Sequence, residues 1–263
     1  MAAYNAEKTI QQAVDSLLKG THPCKIYIVD DCSRVPVAQV IAPHDPERIE
    51  IIRLEKNGGP GNARNAGLAR ILENNHEFVA IMDADDLSYP ERIAKQVAYL
   101  AANPGIAVVG GWERVIDEND AFISYVALPC DPQTIRNNLF VKMFVSHPTW
   151  MVRADVLREL GGYSLSYYAA EDYELLRRIC VHHAVANIPE YLIDYRISSG
   201  GMTAQNRKRQ LFDRLRIQVK YFELFNHHAW VGVVRTLLLL LVPIKRRKPD
   251  TISAGAAKEL QAA

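Results

Sequence analysis

Two apolar runs, KIYIVDD at residues 25–31 and FVAIMDADD at residues 78–86, end in clustered carboxylates. Apolar on both faces, each suits a strand buried inside a parallel sheet rather than one half exposed to water. Segments with helical spacing surround them. EKTIQQAVDSLLK places Ile10, Ala13, Val14, Leu17 and Leu18 on one face, with Asn5 available as cap. PERIAKQVAYLAAN opens on proline and aligns Ile93, Val97 and Leu100. Between the two runs, the strand IEIIRLE leads into glycine-rich NGGPGNARNAG and a helix over residues 62–74. This alternation predicts an α/β fold with a parallel sheet covered on both sides. Ligands of such sheets sit at the carboxyl ends of the strands. Asp30, Asp31, Arg64, Asp83, Asp85 and Asp86 all fall there.

After Asn103 the pattern becomes α+β. IAVVGGWERVI, FISYV, PTWMVR and VANIPEYLIDYRI have strand character, while PQTIRNNLFVKM, ADVLRELGG and AEDYELLRRICVHH have helical character. At 263 residues the chain suits one large domain or a domain with an appendage. A formal net charge of +1 with 49% hydrophobic residues excludes an acidic disordered chain and argues against nucleic-acid binding. Cys24, Cys32, Cys130 and Cys180 have no zinc spacing, so reduced thiols in a cytosolic protein are expected. Residues 207–220 carry six basic side chains against one acidic, Asp213. AWVGVVRTLLLLLVPIKRRK then joins an apolar run, too short to span a bilayer, to Lys245, Arg246, Arg247 and Lys248. That segment suits either a membrane surface with anionic headgroups or a buried helix with a solvated basic end.

Several carboxylates at one strand end repel each other, and a divalent cation relieves that repulsion through shared oxygen ligands. Magnesium or manganese suits such hard donors. The plainer reading of DADD is a solvated acidic turn before a helix. NGGPGNARNAG likewise suits either an anion-binding loop, with Arg64 contributing charge, or a strand-to-helix turn in which Asn62 caps the helix.

AAYNAEKTI, YIVDDCS, NGGPGNARNAGL, IMDADDLSYPERI, SHPTWMVRADVLRELGGYS and AEDYELLRRI occur in the order found in family-2 inverting glycosyltransferases. Over about residues 3–200 the chain resembles a bacterial member of that family of the envelope or exopolysaccharide type. The resemblance implies the GT-A (Rossmann-like) α/β fold, with a nucleotide-binding half at 1–103 and an acceptor half at 104–203. A basic and apolar helical segment at 204–248 and a tail at 249–263 would follow. It also implies metal-dependent transfer from a nucleotide-sugar, a UDP-sugar by expectation, to a glycan or lipid-linked acceptor. Tyr4 and Asn5 would lie beside the nucleotide, and Asp31 would receive the base with Asp30 next to it. Arg64 matches the arginine near the nucleotide, and Arg64 or Arg196 would help the metal stabilise the leaving diphosphate. Asp85 would hold Mn2+ or Mg2+, and Asp83 would hold ribose or metal. Glu171 and Asp172 match the acidic pair on the acceptor side, with Asp172 as general base. Peripheral attachment to the inner face of the cytoplasmic membrane fits the same family.

His147 and Trp150 suit packed core residues better than ligand contacts, and Gly200 and Gly201 would be hinges of a closing segment. Two features depart from the family pattern. Ala3 stands where a proline usually precedes the tyrosine–asparagine pair, and the first strand is truncated, so an apolar strand is expected upstream of Met1. Cys32 replaces the common glycine of the base-binding turn. A sugar-phosphate nucleotidylyltransferase or a non-catalytic nucleotide-sugar-binding protein are the alternative readings.

Overall fold

The computed structural model describes residues 1–197 and 207–242. The expected closing segment with Gly200 and Gly201, the basic cluster Lys245–Lys248 and the tail lie outside the described residues.

Strands β1 (Ala2–Ala3), β2 (Ile26–Asp30) and β3 (Ile49–Arg53) form a three-stranded parallel sheet in the order β1-β2-β3. Every residue of β2 is buried, as its continuous apolar sequence requires. Helices α1 (Ile10–Leu18) and α2 (Val37–Val40) connect these strands, and α3 (Pro60–Glu73) leads from β3 towards the second sheet. Ile10, Ala13, Val14 and Leu17 of α1 pack with Ile26, Ile28 and Ile49 in one core cluster. Asn5 does not cap α1: Thr9 occupies the cap position, and Asn5 sits in the left-handed region at φ 51°. Nor does Asn62 cap α3, which begins two residues earlier at Pro60, after Gly59.

The parallel arrangement stops there, in contrast to the uniform sheet expected. FVAIMDADD remains a strand only as β4 (Phe78–Ala80), pairing antiparallel with β8 (Met151–Arg153). An isolated parallel bridge from Ala2 to Asp83 links the two sheets beside the acidic turn. The second sheet is mixed, in the order β4-β8-β6-β9-β5, with β7 (Phe122–Val126) on β6 (Ile106–Ile116). Long β9 (Ala184–Arg196) runs parallel to β6, while β5 (Leu87–Ser88) runs antiparallel to β9.

Helices α4 (Arg92–Ala102), α5 (Pro132–Asn138), α6 (Ala154–Leu160) and α7 (Glu171–His182) cover this sheet. The largest core cluster lies between β4, β6, β8 and α7 and includes fully buried Trp150. Its indole nitrogen donates to the Val145 carbonyl at 3.1 Å, so Trp150 is a core residue, as expected. Two helices close the described chain, α8 (Arg207–Lys220) and α9 (His227–Leu241).

Candidate active site

Asp30 and Asp31 end β2 with different tasks. Asp30 is 1% exposed and accepts from the backbone N–H groups of Ser33 at 2.8 Å and Val37 at 3.1 Å, and from Arg53. Burial alone would raise its pKa, but these hydrogen bonds and Arg53 outweigh it and hold the carboxyl below its ordinary value. Asp30 therefore braces the turn. Asp31 accepts from Gly58 N–H at 2.9 Å and Gly59 N–H at 2.8 Å, clamping the glycine-rich loop to the strand end. Gly59 is required there. Its φ is +83°, and a Cβ would stand 2.8 Å from the Tyr168 ring. Between the two strand ends, Cys32 also has positive φ, 61°, which accounts for glycine being common at that position. Asn5 stitches the first loop to this turn, accepting from Arg34 N–H at 2.9 Å while its own N–H donates to Ser33 Oγ at 3.0 Å. Tyr4 beside it is 55% exposed and open to a ligand.

The loop delivers Arg64, the fifth residue of α3, into the centre of the site. Its guanidinium donates to Asp83 at 2.8 Å and to Glu171 at 3.1 Å, tying the first half of the chain to α7. Burial opposes its charge, yet Asp83, Tyr163 and Glu171 keep it firmly protonated. Asn65 holds the adjacent turn from both sides, donating to Tyr163 O at 2.8 Å and accepting from Tyr163 N–H at 2.7 Å. The Tyr163 hydroxyl is hydrogen-bonded to His147 Nε2 at 2.9 Å. Burial, followed by Arg64, pushes the His147 pKa down to about 3, so the ring is a neutral, packed support.

The acidic turn brings three carboxylates together. Burial first and Asp83 second push Asp85 up to about 6. Asp86 is completely buried; its Oδ1 accepts from Arg196 N–H at 2.9 Å, while Oδ2 has no partner among the described residues. The raised proton affinity of Asp85 and Asp86 and the orphaned Asp86 oxygen are what a nearby cation would relieve. Among the described residues, however, no group of three or more His, Cys, Asp or Glu side chains is arranged so that it could hold a metal ion. Arg196 is drawn into contacts around the acidic turn. Its guanidinium donates to Asp85 O at 2.8 Å, to Gln12 at 3.3 Å and to Asp120, bracing the acidic turn.

Arg64, Asp83, Glu171 and Asp172 line one cavity of about 320 Å³, which Arg196 does not line. Glu171 and Asp172 open α7, yet they do more than complement the helix dipole. Burial, then Asp172, raises Glu171 to about 7 against the pull of Arg64. Burial also raises Asp172, which accepts from Tyr173 N–H at 2.7 Å and has no cationic partner among the described residues. One carboxyl of the pair is thus held by arginine while the other meets the cavity. Sequence reasoning missed Tyr163, Glu113, Ser146, Lys142 and Tyr195, although all but Tyr163 line the cavity. Glu113 carried a signal, a lone carboxylate within the apolar strand VVGGWERVI.

Residues 1–161 match the family model described as glycosyl transferase family 2. The amylovoran biosynthesis glycosyltransferase AmsE of Erwinia amylovora is 30% identical over 248 residues, covering 92% of this chain and 90% of that protein. The O-antigen biosynthesis glycosyltransferase WbnJ of Escherichia coli is 30% identical, covering 75% and 78%. Among solved structures, S. aureus TarS 1–349 aligns with TM-score 0.66 at 19% identity, over 90% of this chain and 68% of that one. The mannosyltransferase PcManGT from Pyrobaculum calidifontis, in complex with GDP-Man and Mn2+, aligns with TM-score 0.62 at 16% identity, over 99% and 76%. These likenesses carry the fold, which is the GT-A α/β architecture with C-terminal helices.

Proposed function

The chain belongs to glycosyl transferase family 2, and from that premise we propose that it transfers a sugar, with inversion, from a UDP-sugar to a glycan or lipid-linked acceptor in cell-surface polysaccharide synthesis. The observation that carries this reading is Asp172, a carboxylate without a cationic partner among the described residues, lining the cavity that Arg64 and Asp83 enter from the other half. Residues 1–103 would hold the donor and residues 104–203 the acceptor.

Asp31 and the clamped loop, with Tyr4 and Asn5 alongside, would shape the base pocket. Arg64 would meet the charge growing on the departing diphosphate, since its guanidinium is already positioned and protonated in the cavity. Asp83 and Asp85 would hold Mn2+ or Mg2+, which when bound supplies positive charge for that same diphosphate. Asp172 would take the acceptor hydroxyl proton as the oxygen attacks. Its raised pKa brings it closer to the operating pH, where a general base is most effective. Glu171, held by Arg64, would keep the donor-side cation and the acceptor-side base in register. One displacement, with no enzyme nucleophile, inverts the anomeric centre.

Peripheral attachment to the inner face of the cytoplasmic membrane belongs to the same proposal. Trp230, Val231, Val234, Leu237, Leu238 and Leu241 are exposed along α9, and Phe225 ahead of it is fully exposed. Among the described residues, no helix is long and apolar enough to cross a membrane. The basic residues of α8 contribute less than their number suggests. Arg214 donates to Val141 O, Arg216 to Ser166 O and Lys220 to Glu174.

The deciding experiment replaces Asp172 by Asn and measures transfer and UDP binding separately. Amide and carboxylate share their shape, so UDP binding should persist while transfer falls by about 10²–10⁴-fold. Transfer at the wild-type rate would remove Asp172 from the role of base.

A further inference from the structure

Glu113 has no place in a purely structural account of β6. Antiparallel pairing with β7 sets it opposite Val126, and both residues line the cavity. Its neighbours serve other contacts: Arg114 makes a two-point ion pair with Asp194, and Trp112 packs edge-on against Tyr191. Glu113 is only 4% exposed. Its Oε2 accepts from the Ser146 hydroxyl at 2.5 Å, and the positive charge of Lys142 acts on the same carboxyl. A buried carboxylate with unused acceptor capacity is costly unless something in the cavity donates to it. The backbone of Glu113 pairs with β7 and β9, but among the described residues no arginine forms an ion pair with its carboxylate.

The surrounding wall indicates what donates. Val126, Leu128 and Met143 give it an apolar surface beside the carboxylate, and Lys142 lines the same cavity. A sugar ring presents the matching combination, an apolar C–H face edged by hydroxyl donors. Every one of these wall residues comes from the second half of the chain, whereas Arg64 and Asp83 come from the first. On the glycosyl-transfer reading given above, the second-half wall faces the acceptor.

We propose that Glu113, positioned by Ser146, accepts a hydrogen bond from a hydroxyl of the acceptor saccharide and selects for acceptors that present a neutral hydroxyl there. Acceptors bearing a carboxylate at that point are rejected by like charge. Glu113 is a specificity-determining residue that leaves the proton transfer at Asp172 untouched.

The test uses the full chain with UDP and Mn2+ and reads sugar binding by saturation-transfer NMR. The probes are the methyl glycosides of glucose, galactose, mannose and N-acetylglucosamine, together with the methyl glycosides of glucuronic and galacturonic acid. Wild type should bind at least one neutral glycoside and neither acidic one. Glu113→Gln should weaken the bound glycoside by about tenfold or more, the loss expected for a hydrogen bond to a charged group. Calorimetric UDP affinity should not change. Ser146→Ala, which keeps the carboxylate but releases its orientation, should weaken the glycoside by a smaller factor.

Melting temperature separates this role from a structural one. The amide keeps the shape of the carboxylate and removes the cost of burying its charge, so the melting temperature should stay unchanged or rise, whereas loss of a brace would lower it. Wild type that binds UDP but no neutral glycoside overturns the assignment. So does Glu113→Gln with unchanged glycoside affinity, or with a lowered melting temperature. Wild type that fails to bind UDP overturns the glycosyl-transfer reading itself.

Discussion

Replacing Arg64 by Ala should damage both the fold and the site. Reading NGGPGNARNAG as an exposed loop leads to the opposite expectation, loss of donor affinity with the fold intact. The structure corrects it, because Arg64 is the fifth residue of α3 with its side chain 13% exposed, bridging Asp83 and Glu171. Deleting one member of a buried ion pair costs about 3–5 kcal/mol, since the remaining charge is left without compensation. The Asp83 side chain is 31% exposed and is partly hydrated, so the lower end, about 3 kcal/mol, is expected. For a domain of this size that lowers Tm by roughly 6–12 °C. The deficit also has a definite pH dependence. Glu171 has a folded pKa of about 7 against an ordinary 4.5, so its ionisation destabilises the fold as pH rises through that window. Without Arg64 its pKa rises further and the penalty grows. Asp83 has a lowered folded pKa, so the stability it gains from Arg64 is present above 3.8 and lost as pH falls through the folded value. Glu171 makes the gap between wild type and variant wide at pH 8 and narrower at pH 5, while Asp83 contributes at both. Urea denaturation followed by tryptophan fluorescence at those two pH values measures it. Equal stability at pH 8 would refute the bridging role, and a gap independent of pH would refute its carboxylate origin.

Asp85→Ala should abolish the part of UDP binding that depends on manganese while leaving metal-free binding in place; calorimetry with and without Mn2+ reads both, and unchanged metal dependence sinks Asp85 as a ligand. Cys32→Val should destabilise by about 1–2 kcal/mol, because a β-branched side chain is poorly tolerated at φ 61°. Cys32→Gly should be nearly neutral, since relief of that strain is offset by unfolded-chain entropy; equal melting temperatures for the Val and Gly variants would contradict the strain argument. The protein should float with vesicles containing phosphatidylserine and detach in high salt, each nearby basic side chain contributing on the order of 1 kcal/mol. Changing Trp230, Leu237, Leu238 and Leu241 together to Ser should leave it at the bottom of the gradient, and flotation of that variant equal to wild type removes α9 as the attachment face.

What the sequence made legible was local. The α1 periodicity, the buried β2 run and the acids opening α7 are each decided within a dozen residues, and the structure places them where their patterns predict. The error over FVAIMDADD has the same origin. Apolar residues 78–82 satisfy the strand pattern whether their neighbour is parallel or antiparallel, and only the distant β8 decides it.

The site divides along the same line. Carboxylates are visible in a sequence because an acid at the end of an apolar strand is conspicuous, but the partner of each acid is not. Asp30 and Asp31 are adjacent and chemically identical, yet one is used up by Ser33, Val37 and Arg53 while the other clamps Gly58 and Gly59. Arg64 and Arg196 both suggest a phosphate contact, but only long-range folding reveals which of them lines the cavity. Arg196 meets Gln12 across 184 residues and is committed to bracing, whereas Arg64 meets Glu171 across 107 and stays in the cavity. Charge at a strand end therefore locates the chemistry, and the tertiary partners assign it: Asp30, used up by Ser33, Val37 and Arg53, supports the turn, whereas Asp172, with no cationic partner among the described residues, faces the cavity.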